Sequence, residues 1–191
     1  MNNYRPFAGI TPAVKIIIII NVLVFLAINM IGQRANVDLV NILGMHLPQS
    51  QYFQIYQYIT HMFTQKELTH LFFNMFAVWM FGRILEQVWG PKRFLSYYMI
   101  CGIGAGLISM LVTYIRIQAA KTGMSPEMIN TVYQEGAQII RDNMNYTYPP
   151  MANLNALLNG VTVGASGAVY AILLGFGMLF PNQPLFIFPL P

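Results

Sequence analysis

The sequence predicts an all-α membrane protein, a helical bundle that crosses the bilayer four times. Three observations carry that expectation. Charged residues are only 8% of the 191, against about 25% in an ordinary soluble domain, too few to cover a soluble surface of this size. Apolar residues reach 56% and mean hydropathy is +0.52, the opposite of a disordered composition. Four stretches approach the roughly 20 mostly apolar residues that a helix needs to cross a bilayer. The single cysteine, Cys101, excludes a disulfide scaffold and any cysteine-based zinc site. The net charge of +4 comes without a basic cluster interleaved with aromatics, so it points to topology and not to nucleic acid.

The first expected span is Val14 to Gly32, charged only at Lys15 on its edge. It is too long for a signal-peptide core, and no small-residue cleavage site follows it. The second is Leu71 to Trp89, with Arg83 and Glu86 near its C-terminal end. The third, Phe94 to Ile115, and the fourth, Val161 to Phe180, carry no charge. Pro181 and Pro184 then break the helix, and the apolar Leu185 to Pro191 is too short to span. Residues 1–191 are therefore expected to form a single membrane domain, incomplete at its C-terminus. Two long connections lie outside the hydrocarbon, from about Gln33 to Thr69 and from about Arg116 to Gly160. The second contains an expected surface helix from Pro126 to Asn143, after which Pro149-Pro150 should end regular structure.

Basic residues set the orientation. Arg5, Lys15, Arg83, Lys92 and Arg93 lie on short segments of one side, with Glu86 as the one acid. The two long connections hold Arg34, Lys66, Arg116, Lys121 and Arg141, matched by Asp38, Glu67, Glu127, Glu135 and Asp142. The N-terminus should then be cytoplasmic, in a bacterial inner membrane, and both long connections should face outward.

Polar groups within membrane helices are functional candidates, because burying them costs free energy. His70 and Asn74 stand four apart on one helix face and both can donate hydrogen bonds, so they could clamp a negative oxygen. The bland alternative is helix–helix glue. Ser166 lies in Gly164-Ala165-Ser166-Gly167 at the outer part of the fourth span. It is either a nucleophile with glycines leaving room for a substrate backbone, or part of a packing stripe with Gly167, Ala171 and Gly175. Gly82, Glu86 and Gly90 recur at every fourth position, with Glu86 a structural acceptor for backbone or loop donors.

The combination of His70-xxx-Asn74, Gly82-xxx-Glu86-xxx-Gly90 and Gly164-Ala165-Ser166-Gly167, with Tyr170 one turn after the serine, resembles the rhomboid family of intramembrane serine proteases. The resemblance runs from about Tyr56 to Pro181, roughly two thirds of the chain. It implies a rhomboid-like bundle of six spans, of which four are present. It implies Ser166 as nucleophile and an oxyanion site built from His70, Asn74 and the Ser166 backbone N–H, supported by Gly164 and Gly167. Tyr170 would be the ring that packs the catalytic histidine. The substrates implied are single-span membrane proteins, cut near the outer face at small residues in helix-destabilising segments. No metal or organic cofactor is implied, and the partners are these substrates and the lipid bilayer.

Some positions depart from the family. Tyr56-Gln57 stands where a Trp-Arg pair often precedes Thr60-His61, and Gln65 replaces a frequent histidine, changes expected to affect loop packing more than chemistry. The family's general base is a histidine on the sixth span, whereas the histidines here are His46, His61 and His70. A serine without its base loses on the order of 10⁴-fold or more in rate, so the 191 residues alone are expected to be inert. Two other classes compete: a rhomboid-like pseudoprotease that binds transmembrane clients without cutting them, and a small channel or transporter subunit. The spans carry no ring of acids and no paired charges, which argues against the last.

Overall fold

The computed structural model describes residues 9–35 and 37–182. Arg5, Pro184 and the apolar end from Leu185 to Pro191 lie outside the described residues. Helix α1 (Pro12–Leu26) has proline in its first turn, where the missing N–H has no intrahelical acceptor to lose, and runs into a π-helical stretch, Ala27–Gly32. Short helices α2 (Gln33–Ala35), α3 (Leu39–Leu43) and α4 (Gln57–Thr60) occupy the first connection, followed by a 3₁₀ turn, His61–Phe63. Helix α5 (Leu68–Ala77), a π-helical Val78–Gly82 and α6 (Arg83–Trp89) form one continuous rod of 22 residues. Gly90, at φ +79°, turns the chain sharply, and Pro91 opens α7 (Pro91–Ala120). The second connection holds α8 (Pro126–Arg141) and α9 (Pro149–Asn159), and α10 (Ser166–Leu179) completes the set.

Three helical runs, Pro12–Gly32, Leu68–Trp89 and Pro91–Ala120, are long and apolar enough to cross a membrane, and Ser166–Leu179 is a shorter apolar helix. The third run outreaches the expected Phe94 to Ile115. Its 30 residues extend about 45 Å at 1.5 Å per residue, beyond the roughly 30 Å of hydrocarbon, so one end must leave the membrane. The fourth expected span is corrected at its start: residues 161–165 are not helical, because Thr162 pairs with Met45 and Gly164 adopts a positive φ. Pro149-Pro150 also acts contrary to expectation. The pair starts α9, since proline is well suited to a helix's first turn.

The four long elements share one apolar core. Val14, Val78, Leu85, Phe94, Tyr98 and Ile172 within it are fully buried. Lipid is as apolar as these side chains, so close packing and not water exclusion must hold the helices together. Helices α7 and α10 pack closely. A Cβ on Gly167 would stand 2.4 Å from that of Ala105, and one on Gly102 would stand 3.3 Å from that of Ala168. Tyr97 also donates its hydroxyl to the Ala171 carbonyl at 2.7 Å. A second cluster of Leu47, Ile117, Val132, Leu154 and Leu158 fastens α8 and α9 to the far end of α7.

Glu86 ties the other end of the bundle. It is buried, and its two carboxyl oxygens accept from the backbone N–H groups of Ala13 and Val14, each at 2.9 Å, and from the Thr11 hydroxyl. These are orphan donors of the first turn of α1, unsatisfied by the helix itself. The start of α1 and the end of α6 are thereby fixed side by side, with Gly82 one turn earlier accommodating the Phe94 ring and Val14. Replacing Glu86 by glutamine substitutes a donor for an acceptor and should lower stability by about 1–3 kcal/mol, the usual cost of stranding a buried hydrogen-bonding group. Thermal unfolding in detergent checks this. Unchanged stability in the variant would contradict the capping role.

Candidate active site

Ser166 is the first residue of α10, so its backbone N–H is among the four that the helix leaves without an acceptor. The extended segment before it is held from two sides. Met45 and Thr162 exchange backbone hydrogen bonds at 2.8 and 2.9 Å, and the Gly164 N–H donates to the His61 carbonyl at 2.8 Å. Gly164 then takes φ +114°, a conformation that strains any residue with a side chain. Space is lacking there too: a Cβ on Gly164 would lie 3.1 Å from His70 Cε1 and 3.7 Å from Gln65 Oε1.

That contact brings the two sequence motifs together. His70, on α5, packs its ring against the backbone two residues before Ser166. Asn74, one turn further along α5 and buried, donates its Nδ2 to Gln65 Oε1 at 3.2 Å. Gln65, assigned by sequence to loop packing, lies beside the Gly164 turn and accepts from the amide of Asn74. Nothing in its spacing signalled this, because it reaches Asn74 across the turn that precedes α5. Tyr170 points from an exposed face of α10 that also carries Leu174 and Met178.

A cavity of about 140 Å³ lies beside the serine, lined by Ser166, His61, Ser109, Thr162 and glycines of α7 and α10. The glycines keep it open. A Cβ on Gly106 would meet His61 Nε2 at 2.9 Å. His61 was legible only as a loop histidine, yet its environment defines its state. Nδ1 lies 2.9 Å from the Gln57 carbonyl, which can only accept, so Nδ1 carries the proton and Nε2 is a lone-pair acceptor at the cavity's edge. Burial lowers the His61 pKa, opposed by hydrogen bonds to the Gln57 and Tyr58 carbonyls. In His46 burial again dominates, with Asn41 and Asp38 opposing it and Lys66 adding to it. Among the described residues, no group of three His, Cys, Asp or Glu side chains gathers to hold a metal.

The fold and site define a class, and the comparisons agree with it. The Rhomboid domain family matches residues 52–191, and the chain belongs to that family. It is a multi-pass integral membrane protein. Over 131 residues, 68% of the chain, it is 30% identical to mitochondrial rhomboid protein 1 of Saccharomyces cerevisiae, a match that covers 27% of the yeast protein. Over 57 residues, 30% of the chain, it is 35% identical to chloroplastic rhomboid-like protein 11 of Arabidopsis thaliana, covering 20% of that protein. The chain therefore matches less than a third of the length of these curated relatives.

The buried histidines generate a pH prediction. Each folded-state pKa lies below its unfolded value of about 6.5, so their contribution to stability is complete above that pH and is lost as pH falls through the folded values. Thermal unfolding should shift to lower temperature between pH 7.5 and pH 5, and a His46→Gln/His61→Gln double variant should show a smaller shift. An equal shift in the variant would assign the pH effect to other groups.

Proposed function

We propose that the protein is an intramembrane serine endopeptidase that cuts single-span transmembrane proteins near the outer membrane face. Ser166 is the nucleophile, and His70, Asn74 and the Ser166 N–H are the oxyanion donors. The carrying observation is the contact of His70 with Gly164, which joins the α5 donors to the start of the serine's helix. Donors held in place before charge develops cost no reorganisation in the transition state.

Two features support the membrane depth and the substrate class. The 14 residues of α10 extend about 21 Å at 1.5 Å per residue, short of the roughly 30 Å of hydrocarbon, so Ser166 begins its helix below the outer surface. Irregular backbone is tolerated at that depth only where protein buries it or a wet cavity adjoins it, and Gly164 and Ala165 are buried beside the cavity. The small volume next to Ser166 suits a small side chain at the cut. The orientation is N-terminus inward, as in a bacterial inner membrane. Glu86 places the start of α1 and the end of α6 together, which groups the basic Lys15, Arg83, Lys92 and Arg93 at one end.

The base is proposed to come from outside these 191 residues, which on their own should be inert. A second reading, a rhomboid-like pseudoprotease that holds transmembrane clients, is favoured by one observation. Among the described residues, no hydrogen bond joins Ser166 to a histidine: His46 bonds the Asn41 carbonyl, and His61 bonds the Gln57 carbonyl through Nδ1 while its Nε2 borders the cavity.

Cleavage of a transmembrane reporter, run beside fluorophosphonate labelling, separates the readings. In the full-length protein Ser166→Ala should abolish both signals. His70→Ala and Asn74→Ala should each lower turnover by roughly 10- to 1000-fold, the range for one oxyanion donor, and all three should be silent in the 191 residues alone. Full-length protein that neither labels nor cleaves would support the pseudoprotease. Turnover by the 191 residues comparable with the full-length protein would overturn the external base and direct attention to His61. The orientation has its own test: reporter fusions after Ala35 and Met144 should read outside and one after Lys92 inside. The inverse pattern would place Ser166 at the wrong face.

A further inference from the structure

Three buried side-chain amides run in series behind the proposed oxyanion donors. Asn21 of α1 donates Nδ2 to the Ile17 carbonyl at 2.9 Å. Gln65, before α5, donates Nε2 to Asn21 Oδ1 at 3.3 Å. Asn74 of α5 donates Nδ2 to Gln65 Oε1 at 3.2 Å. Asn21 and Gln65 have no exposed surface, and Asn74 is nearly as buried. These groups are shielded from bulk solvent, so each needs a partner inside the protein.

The series has a direction, and its origin is a group that cannot turn round. A backbone carbonyl only accepts. Asn21 must therefore present its NH₂ to Ile17 and its oxygen to Gln65. Gln65 must answer with its NH₂ toward Asn21 and its oxygen toward Asn74, and Asn74 must answer with its NH₂. Reversing any one amide sets oxygen against oxygen or NH₂ against NH₂ in a dry, low-dielectric interior. The Asn74 NH₂ has two protons and Gln65 takes one. Without the constraint the Asn74 amide could rotate by half a turn and offer its oxygen, which would repel an oxyanion.

We propose that Gln65 is a positioning residue of this site: with Asn21 it relays the polarity of the Ile17 carbonyl to Asn74 and holds the Asn74 NH₂ as a donor, one proton on Gln65 and the other for the developing oxyanion. This rests on the oxyanion role of Asn74 proposed above. Gln65 also borders Gly164, so it lies beside the turn that leads to Ser166 as well as behind Asn74.

The test uses the full-length protein. Gln65→Met keeps length and removes both hydrogen-bonding groups. It should lower kcat by roughly 5- to 50-fold, less than outright loss of a donor, with KM little changed, and should slow fluorophosphonate labelling in parallel. Asn21→Leu, remote from the site, should act in the same direction more weakly. Gln65→Glu keeps the acceptor facing Asn74 but keeps a donor toward Asn21 Oδ1 only when its carboxyl is protonated, so relative to the unmodified protein its rate should recover as pH is lowered. In the Asn74→Ala background Gln65→Met should cost nothing further, because the group it positions is gone. Unchanged kcat, or losses that multiply in the double variant, would overturn the relay. Should the Gln65 and Asn21 variants not fold, the unmodified protein still answers. With ¹⁵N-asparagine labelling, one Asn74 side-chain proton should be protected from exchange before any ligand is added, and the second should shift when Ser166 is phosphonylated. Two freely exchanging protons would overturn the proposal. A protein that shows no Ser166-dependent labelling or cleavage would sink the enzymatic reading instead, and the protected Asn74 proton distinguishes that outcome from failure of the relay.

Discussion

Helices α7 and α10 can lie close together only because glycine and alanine meet between them, and the position of Ser166 depends on that closeness. Gly167 faces Ala105 and Gly102 faces Ala168, at separations that leave no room for a larger side chain. In lipid there is little gain from merely bringing apolar surfaces together, so contact at this range supplies what the hydrophobic effect supplies in water. The Tyr97 hydroxyl on the Ala171 carbonyl adds a directional bond at the same seam. With α10 pressed onto α7, its first residue is carried to the edge of the cavity that Gly102 and Gly106 keep open.

The second requirement is that a buried polar group must find its partner inside the protein. It is met differently at the two ends of the bundle. At one end, Glu86 collects the unsatisfied N–H groups of α1 and so fixes the first helix to the sixth. At the other, the amides of Asn21, Gln65 and Asn74 form a chain that crosses from α1 to α5. Both devices tie α1 to the rod of α5 and α6, which is why a helix preceding every motif in sequence still bears on the site. The second long connection uses amides again, with Asn155 of α9 bonded to Asn145 before that helix and to Asn159 one turn later.

The stripe reading and the nucleophile reading of Gly164-Ala165-Ser166-Gly167 make different demands on its glycines. Gly167 and Gly175 serve packing against α7, Trp89 and Leu85, while Gly164 serves the turn. Packing thus belongs to a face of α10 and the turn to the segment before it, and Ser166 stands where the two meet.

Composition and periodicity alone determined the class of protein, the three long spans, the surface helix α8 and the grouping of basic residues at one end. These are consequences of transfer free energy, summed along the chain and independent of what each residue touches. His70, Asn74 and Ser166 were legible as candidates, because polar groups in apolar helices stand out whatever surrounds them. Tertiary structure alone decided the rest. The helix of Ser166 starts five residues later than its apolar run, because Met45 and His61 capture the preceding backbone. Pro149-Pro150 opens a helix instead of ending one, because α8 and the Leu47 cluster offer α9 a surface to pack on. Gln65 meets Asn21 and Asn74, because a hydrogen bond between amides far apart in the chain depends on how three elements fold together. Local sequence carries no trace of such a bond, since its free energy exists only once the water around those amides has been removed.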